Sequence, residues 1–100
     1  MRVLTDEDEK KGPMNYVHYK VTVGSNKVIQ VGLNRQAFVR LMDTSNYNRY
    51  VMRKPYEYSG GLAQTSPVNM IPPHHGTWHV VVDLDGKAGQ LTAKIKILDR

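Results

Sequence analysis

Three of the four histidines, His74, His75 and His79, fall within six positions of one another, the first pattern in this chain that could do chemistry. A metal site of the His-x-x-x-His kind needs a helix to bring both rings to one face, whereas this segment follows Pro72-Pro73 and enters an alternating apolar run. With no cysteine anywhere, thiolate ligands, disulfides and thiol nucleophiles are excluded, and neither a metal nor another cofactor is expected. A second chemistry would use one histidine as general base, with Asp83 or Glu57 orienting it and an arginine stabilising negative charge, as in a small ribonuclease. Nothing in the spacing requires it, so the chain is read as non-enzymatic.

The third pattern is a stretch over residues 43–66 that combines Asn46, Tyr47, Tyr50, Tyr56 and Tyr58 with Arg49, Arg53, Lys54 and the pair Gly60-Gly61. Tyrosine rings offer faces to a planar base, guanidinium groups grip phosphate, and paired glycines admit close backbone approach. Together with the turn over 72–79, this stretch is the expected site for an anionic ligand. Arg49, Arg53 and Lys54 would neutralise phosphate, and Tyr47, Tyr50 and Tyr58 would stack. The alternative is that the tyrosines cap an open end of the fold and the glycines merely bend the chain.

Charge supports an anionic partner. The net charge is +5, and residues 1–15 hold three basic and four acidic side chains, so the remainder is more basic than the total suggests. Membrane association is not expected, because no apolar run approaches the ~20 residues of a span. Nor does the N-terminus resemble a signal peptide, so a cytoplasmic location is expected. Groove-reading of nucleic acid is disfavoured: no long helix and no aromatic-basic sheet motif is evident.

The elements that must position these residues are strands. Val17, Tyr19, Val21 and Val23 alternate with Tyr16, His18, Lys20 and Thr22, and Ile29, Val31 and Leu33 continue the pattern past Gly24-Ser25-Asn26-Lys27, which predicts a β-hairpin. Ala37, Val39 and Leu41 form a third strand, and short strands are expected near 56–58 and 68–71. Trp78, Val80, Val82 and Leu84, then Leu91, Ala93, Ile95 and Ile97, form the last two, joined by a glycine-containing hairpin turn. No segment supports a helix beyond a turn or two. The expected fold is all-β, a compact β-sandwich or partly closed barrel of about seven to eight short, mostly antiparallel strands. One domain spans 16–100, and 1–15 reads as a flexible charged tail or a weakly docked first strand.

The segments VRLMDTSNYNRY, YEYSGGLAQTSPV and GTWHVVVDL, in that order, resemble the bacterial domain-of-unknown-function family numbered eighteen eighty-three. The resemblance implies a small all-β sandwich of unassigned activity, found alone or beside a TIR domain. It therefore implies reading or sequestering an ADP-ribose-type or cyclic nucleotide signal in bacterial or phage immunity. Its motif positions here are Asn46, Tyr47, Tyr50, Tyr58, Gly60, Gly61, Ser66, Pro67, Trp78, His79 and Asp83. A competing function of another class is a protein-interaction or self-assembling module, since Tyr and Arg are enriched at interfaces and a small sandwich has open edges.

Overall fold

The computed structural model describes residues 2–4, 10–11, 16–85 and 89–100. The period-two segments are strands, and their apolar positions meet in one core. Tyr16–Val23 (β3) contributes Val17, Tyr19 and Val21; Lys27–Leu33 (β4) contributes Ile29 and Val31; and Ala37–Asp43 (β5) contributes Ala37, Val39 and Leu41. Gly76–Asp83 (β8) adds Trp78, Val80 and Val82, and Ala93–Asp99 (β9) adds Ala93, Ile95 and Ile97. Residues two apart share a face of a strand, which is why the alternation picks out the face that meets the opposite sheet; on β3, β5 and β8 part of the other face is buried as well.

The strands form two antiparallel sheets. Shorter strands at Arg2–Leu4 (β1), Lys10–Lys11 (β2), Ser59–Ala63 (β6) and Val68–Met70 (β7) complete them. One sheet has the order β1-β9-β4-β7 and the other β2-β3-β8-β5-β6. The expected all-β sandwich is what the chain forms, as two facing sheets and not a closed barrel. Within the segment read as a tail, β1 pairs with β9 and β2 with β3; residues 5–9 and 12–15 lie outside the described residues.

Two expected hairpins are not hairpins. β3 and β4 belong to different sheets, as do β8 and β9, so each connection crosses the core instead of joining lateral neighbours. The turn at 24–27 does form, with Lys27 N–H donating to the Gly24 carbonyl at 3.1 Å. Alternation reports which face of a strand is buried, and both a lateral and a facing neighbour satisfy it. Tyr19, fully buried on β3, donates its hydroxyl to the Ala93 carbonyl on β9 at 2.5 Å, a polar tie between the layers inside the core.

The stretch read as irregular contains a helix, Thr44–Val51 (α1), which packs on the outer face of the five-stranded sheet. The short strand expected at 56–58 lies further on, at β6, while the one expected at 68–71 is β7. Among the described residues no helix is long and apolar enough to cross a membrane.

Candidate functional site

The outer face of the five-stranded sheet carries a second, smaller cluster built by Tyr16, Met42, Val81 and, from α1, Tyr50, with Tyr47 and Tyr56 packed against it. The helix is fixed at both ends by local chemistry. Asp43, the last residue of β5, accepts the Asn46 backbone N–H at 2.8 Å as N-cap and the Asn46 side-chain amide at 3.0 Å. Asn46 Oδ1 in turn accepts the Glu57 N–H at 2.8 Å, pinning the returning chain to the helix. At the other end Lys54 N–H reaches the Arg49 carbonyl (2.9 Å) and Arg53 N–H the Tyr50 carbonyl (3.2 Å), with Arg53 left-handed at φ 59°. This is a Schellman stop with arginine where glycine is usual.

Beneath the helix lies a buried charge pair. Arg40 Nη1 and the Tyr50 hydroxyl both donate to Asp83 Oδ2, each at 2.7 Å, and Tyr50 is only 2% exposed. Asp83 Oδ1 accepts the Asp85 N–H, so both of its oxygens are engaged. The Arg40 guanidinium lies over the rings of Phe38 and Tyr58, at 4.8 and 5.3 Å from their centroids. Burial, then the bond to Asp83, pushes the Tyr50 phenol far above its ordinary pKa. Tyr50 is therefore a positioning residue, enclosed edge-to-face by Tyr16 and Tyr56.

Beside this pair runs a chain of rings. His18 Nε2 and His79 Nδ1 are 2.7 Å apart, and His79 Nε2 lies 2.9 Å from the hydroxyl of exposed Thr44. Tyr47 lies flat over both imidazoles, with centroids 4.1 Å from His18 and 4.5 Å from His79. Its hydroxyl meets that of Tyr16 at 2.9 Å, and burial with this bond raises its pKa. Burial first, then Lys20, lowers the pKa of His79, with Asp43 opposing. A neutral His79 takes one proton: either Thr44 donates to Nε2 and Nδ1–H donates to His18, or the whole chain runs in reverse. A hydroxyl against a neutral imidazole is the start of a nucleophile–base pair. Here the third member is a second imidazole, and two nearby carboxylates are engaged elsewhere, Asp43 on the helix N-terminus and Asp83 on Arg40 and Tyr50.

The residues expected to share one site divide into three places. Asn46, Tyr47, Tyr50 and His79 build the capped outer face. Arg49, Arg53 and Lys54 stand exposed at the C-terminal corner of α1, with no ion-pair partner among the described residues, and the chain continues to Tyr58, 45% exposed. Gly60, Gly61 and Ser66 lie elsewhere. Gly60 pairs with Arg40 on the edge strand β6 at φ 103°, where a Cβ would stand 2.3 Å from the Val39 carbonyl oxygen. Ser66 Oγ accepts the Leu33 N–H at 2.9 Å, tying the β6–β7 connection to β4. His74 stays in the loop, where it packs on Trp78 and accepts the indole N–H on its carbonyl at 3.0 Å.

Arg40, His18, Tyr16 and Thr44 were not among the expected site residues. For the first three the signal was the second face of β3, β5 and β8, where Tyr16, His18, Arg40, Met42 and Val81 alternate with the core positions; Thr44, at the start of α1, carried none. That face is too apolar and aromatic to be solvated throughout, and so needed a cover.

Fold and site together define a two-sheet β-sandwich whose larger sheet is capped on its outside by one short helix over an Arg–Asp–Tyr and His–His–Thr network. The family described as "Domain of unknown function (DUF1883)" matches residues 14–100, and the chain belongs to it. No curated protein and no solved structure matches the chain.

Proposed function

We propose that this chain is a non-catalytic binding module for an anionic, nucleotide-derived small molecule, held at the C-terminal corner of α1. The observation that carries the reading is the unpaired cation group: Arg49, Arg53 and Lys54 are exposed, lack carboxylate partners among the described residues, and are tied by backbone hydrogen bonds into one turn. Unneutralised guanidinium groups in a fixed turn suit phosphate, which they bind through paired N–H donors. Tyr58, four residues past Lys54 and 45% exposed, offers an aromatic face on the same chain segment, steadied by Tyr56 and the Arg40 guanidinium. Tyr47, Tyr50, Asn46 and His79 act as the scaffold that keeps α1 on the sheet. The non-catalytic reading is supported by Asp43 and Asp83, whose carboxylates hold the N-terminus of α1 and the Arg40 and Tyr50 donors and make no hydrogen bond to His79.

The cysteine-free composition suits a reducing cytoplasm, where such a signal would be met. The ligands to try first are linear and cyclic ADP-ribose and cyclic dinucleotides, in a thermal-shift panel that also carries simple sugars and short RNA. A ligand at ~100 times its dissociation constant stabilises the fold by about 2.7 kcal/mol, which a domain of this size reports as a shift of roughly 10 °C or more. Arg49→Ala and Arg53→Ala are expected to lose that shift while keeping the unliganded melting temperature within a few degrees. A panel with no shift, or variants that bind as the parent does, would remove the corner as a ligand site.

A further inference from the structure

The two ends of the sandwich differ in how they finish. At one end the edge strand of the five-stranded sheet is Lys10–Lys11, and that of the four-stranded sheet is Arg2–Leu4, so both edges are short and carry a cation. Lysine on a short edge strand is a common way of preventing further strand pairing, because the incoming backbone would have to bury the charge. At the other end the edges are β6 and β7; β7 is as short as β1, but neither strand holds a basic residue. Residues 58–73, which contain both strands, hold no Asp, Glu, Lys, Arg or His, in a chain that is 23% charged, where sixteen consecutive residues would carry about four charges.

The same end exposes apolar surface. Leu62 on β6 is 47% exposed and Ile71, just after β7, 45% exposed. Between the two strands runs a groove of about 540 Å³, floored by Val39 and Leu41 and walled in part by Leu62, Val68, Met70 and Ile71. Gly61 and Ala63, the β6 residues opposite Val39 and Ala37, are small, so the strand leaves this groove open beside the core. β6 pairs with β5 on one side only, which leaves a row of backbone donors and acceptors facing outward.

We propose that β6 is the edge through which two copies of this chain join, antiparallel about a two-fold axis, continuing the five-stranded sheet of one copy into that of the other. The occupant follows from charge. Each copy carries a net charge of +5, so copies repel through their charged faces, and the uncharged stretch over 58–73 is where they can approach at least electrostatic cost. A strand edge paired antiparallel with its own copy is self-complementary by symmetry, as a closed dimer requires. The interface is apolar and backbone-mediated and contains no ion pairs. Added salt therefore tightens it by screening the repulsion between the two bodies, the opposite of its effect on an ion-paired interface. The dimer edge and the ligand corner are tested by different residues, Leu62 and Gln64 for the edge and Arg49 and Arg53 for the corner, although Tyr58 adjoins both.

The test is sedimentation equilibrium on the full chain at up to ~100 µM, in 0.1 and 0.5 M NaCl, with hydrogen exchange of the β6 amides followed at low and high protein concentration. The expected result is a mass approaching twice 11.4 kDa, more completely at the higher salt, with protection of 59–63 rising with concentration. Leu62→Lys and, separately, Gln64→Lys, both at exposed positions, should weaken the dimer by about 100-fold or more, since each brings like charges together across the two-fold. Met52→Lys, at a position 61% exposed on the helix corner, should leave it intact. A mass of 11.4 kDa at ~100 µM in both salts would overturn the proposal. So would a dimer that survives both edge variants, or one whose β6 amides are no better protected at high concentration, either of which places the contact elsewhere. If the edge accepts a strand from a different protein instead, the chain alone stays monomeric and the self-pairing reading fails.

Discussion

Asp83 takes two donors on one oxygen, and the two are not equivalent. Removing the carboxylate, as in Asp83→Ala, leaves the Arg40 guanidinium buried without its counter-ion, and such a loss costs about 3–5 kcal/mol. Tyr50→Phe removes one hydrogen bond from Asp83 but leaves the ion pair, and should cost about 1–2 kcal/mol. Urea unfolding midpoints of the two variants are expected in that order. Arg53 points the other way. A non-glycine side chain in the left-handed region is strained, so Arg53→Gly should stabilise the domain by about 1 kcal/mol, read as a melting temperature higher by roughly 4–8 °C. If the corner binds an anion, the same variant binds it less well. Stability and binding then move in opposite directions at one residue, which would explain why arginine occupies a position that suits glycine.

At the scale of elements, α1 is the part of the fold least visible in the sequence. Thr-Ser-Asn-Tyr-Asn-Arg-Tyr-Val contains no strong helix former except Arg49, and its mean preference does not favour a helix. What holds it is tertiary: Asp43 caps it, and Tyr47 and Tyr50, three apart and so on one face, dock on the sheet. The long strands β3, β4, β5, β8 and β9 were legible because each carries apolar residues at every second position. Which sheet each joined was not, since alternation is blind to layer. The cationic and tyrosine residues of 46–58 were legible as a group, yet the division between those that are buried and those that are exposed depends on a helix that the pattern did not announce. Stability is also expected to depend on pH through His79, against which Thr44 at the start of α1 is placed. His79 has a folded-state pKa below its usual 6.5, so as pH falls through about 6.5 the unfolded chain takes up a proton that the folded chain resists. Its contribution to stability is complete above that pH and declines as pH drops toward the lowered folded value. Melting temperatures should fall between pH 7.5 and 5.5, and His79→Asn should flatten that part of the profile.

For the molecule as a whole, the connections β3–β4, β4–β5, β6–β7, β7–β8 and β8–β9 pass from one sheet to the other, so the layers are laced together along the chain. The core adds a polar tie, the hydroxyl of Tyr19 on the Ala93 carbonyl. Tyr19→Phe keeps the ring and deletes this donor, leaving a buried carbonyl short of its partner, and should lower stability by about 1–3 kcal/mol with the urea dependence of the transition unchanged.

The tyrosine-rich cluster under α1 lies on the far side of the sheet from the main core and shares no side chain with it. The helix can therefore detach as a unit while Val80, Val82 and Ile95 stay packed, an opening that exposes one small cluster and not the whole interior. Amide protons of 44–51 should exchange through this partial opening, faster and with a weaker denaturant dependence than those of β8, which wait for global unfolding. The fold would then have two tiers of persistence: a laced sandwich that opens rarely, and over it a hinged plate carrying the cationic corner.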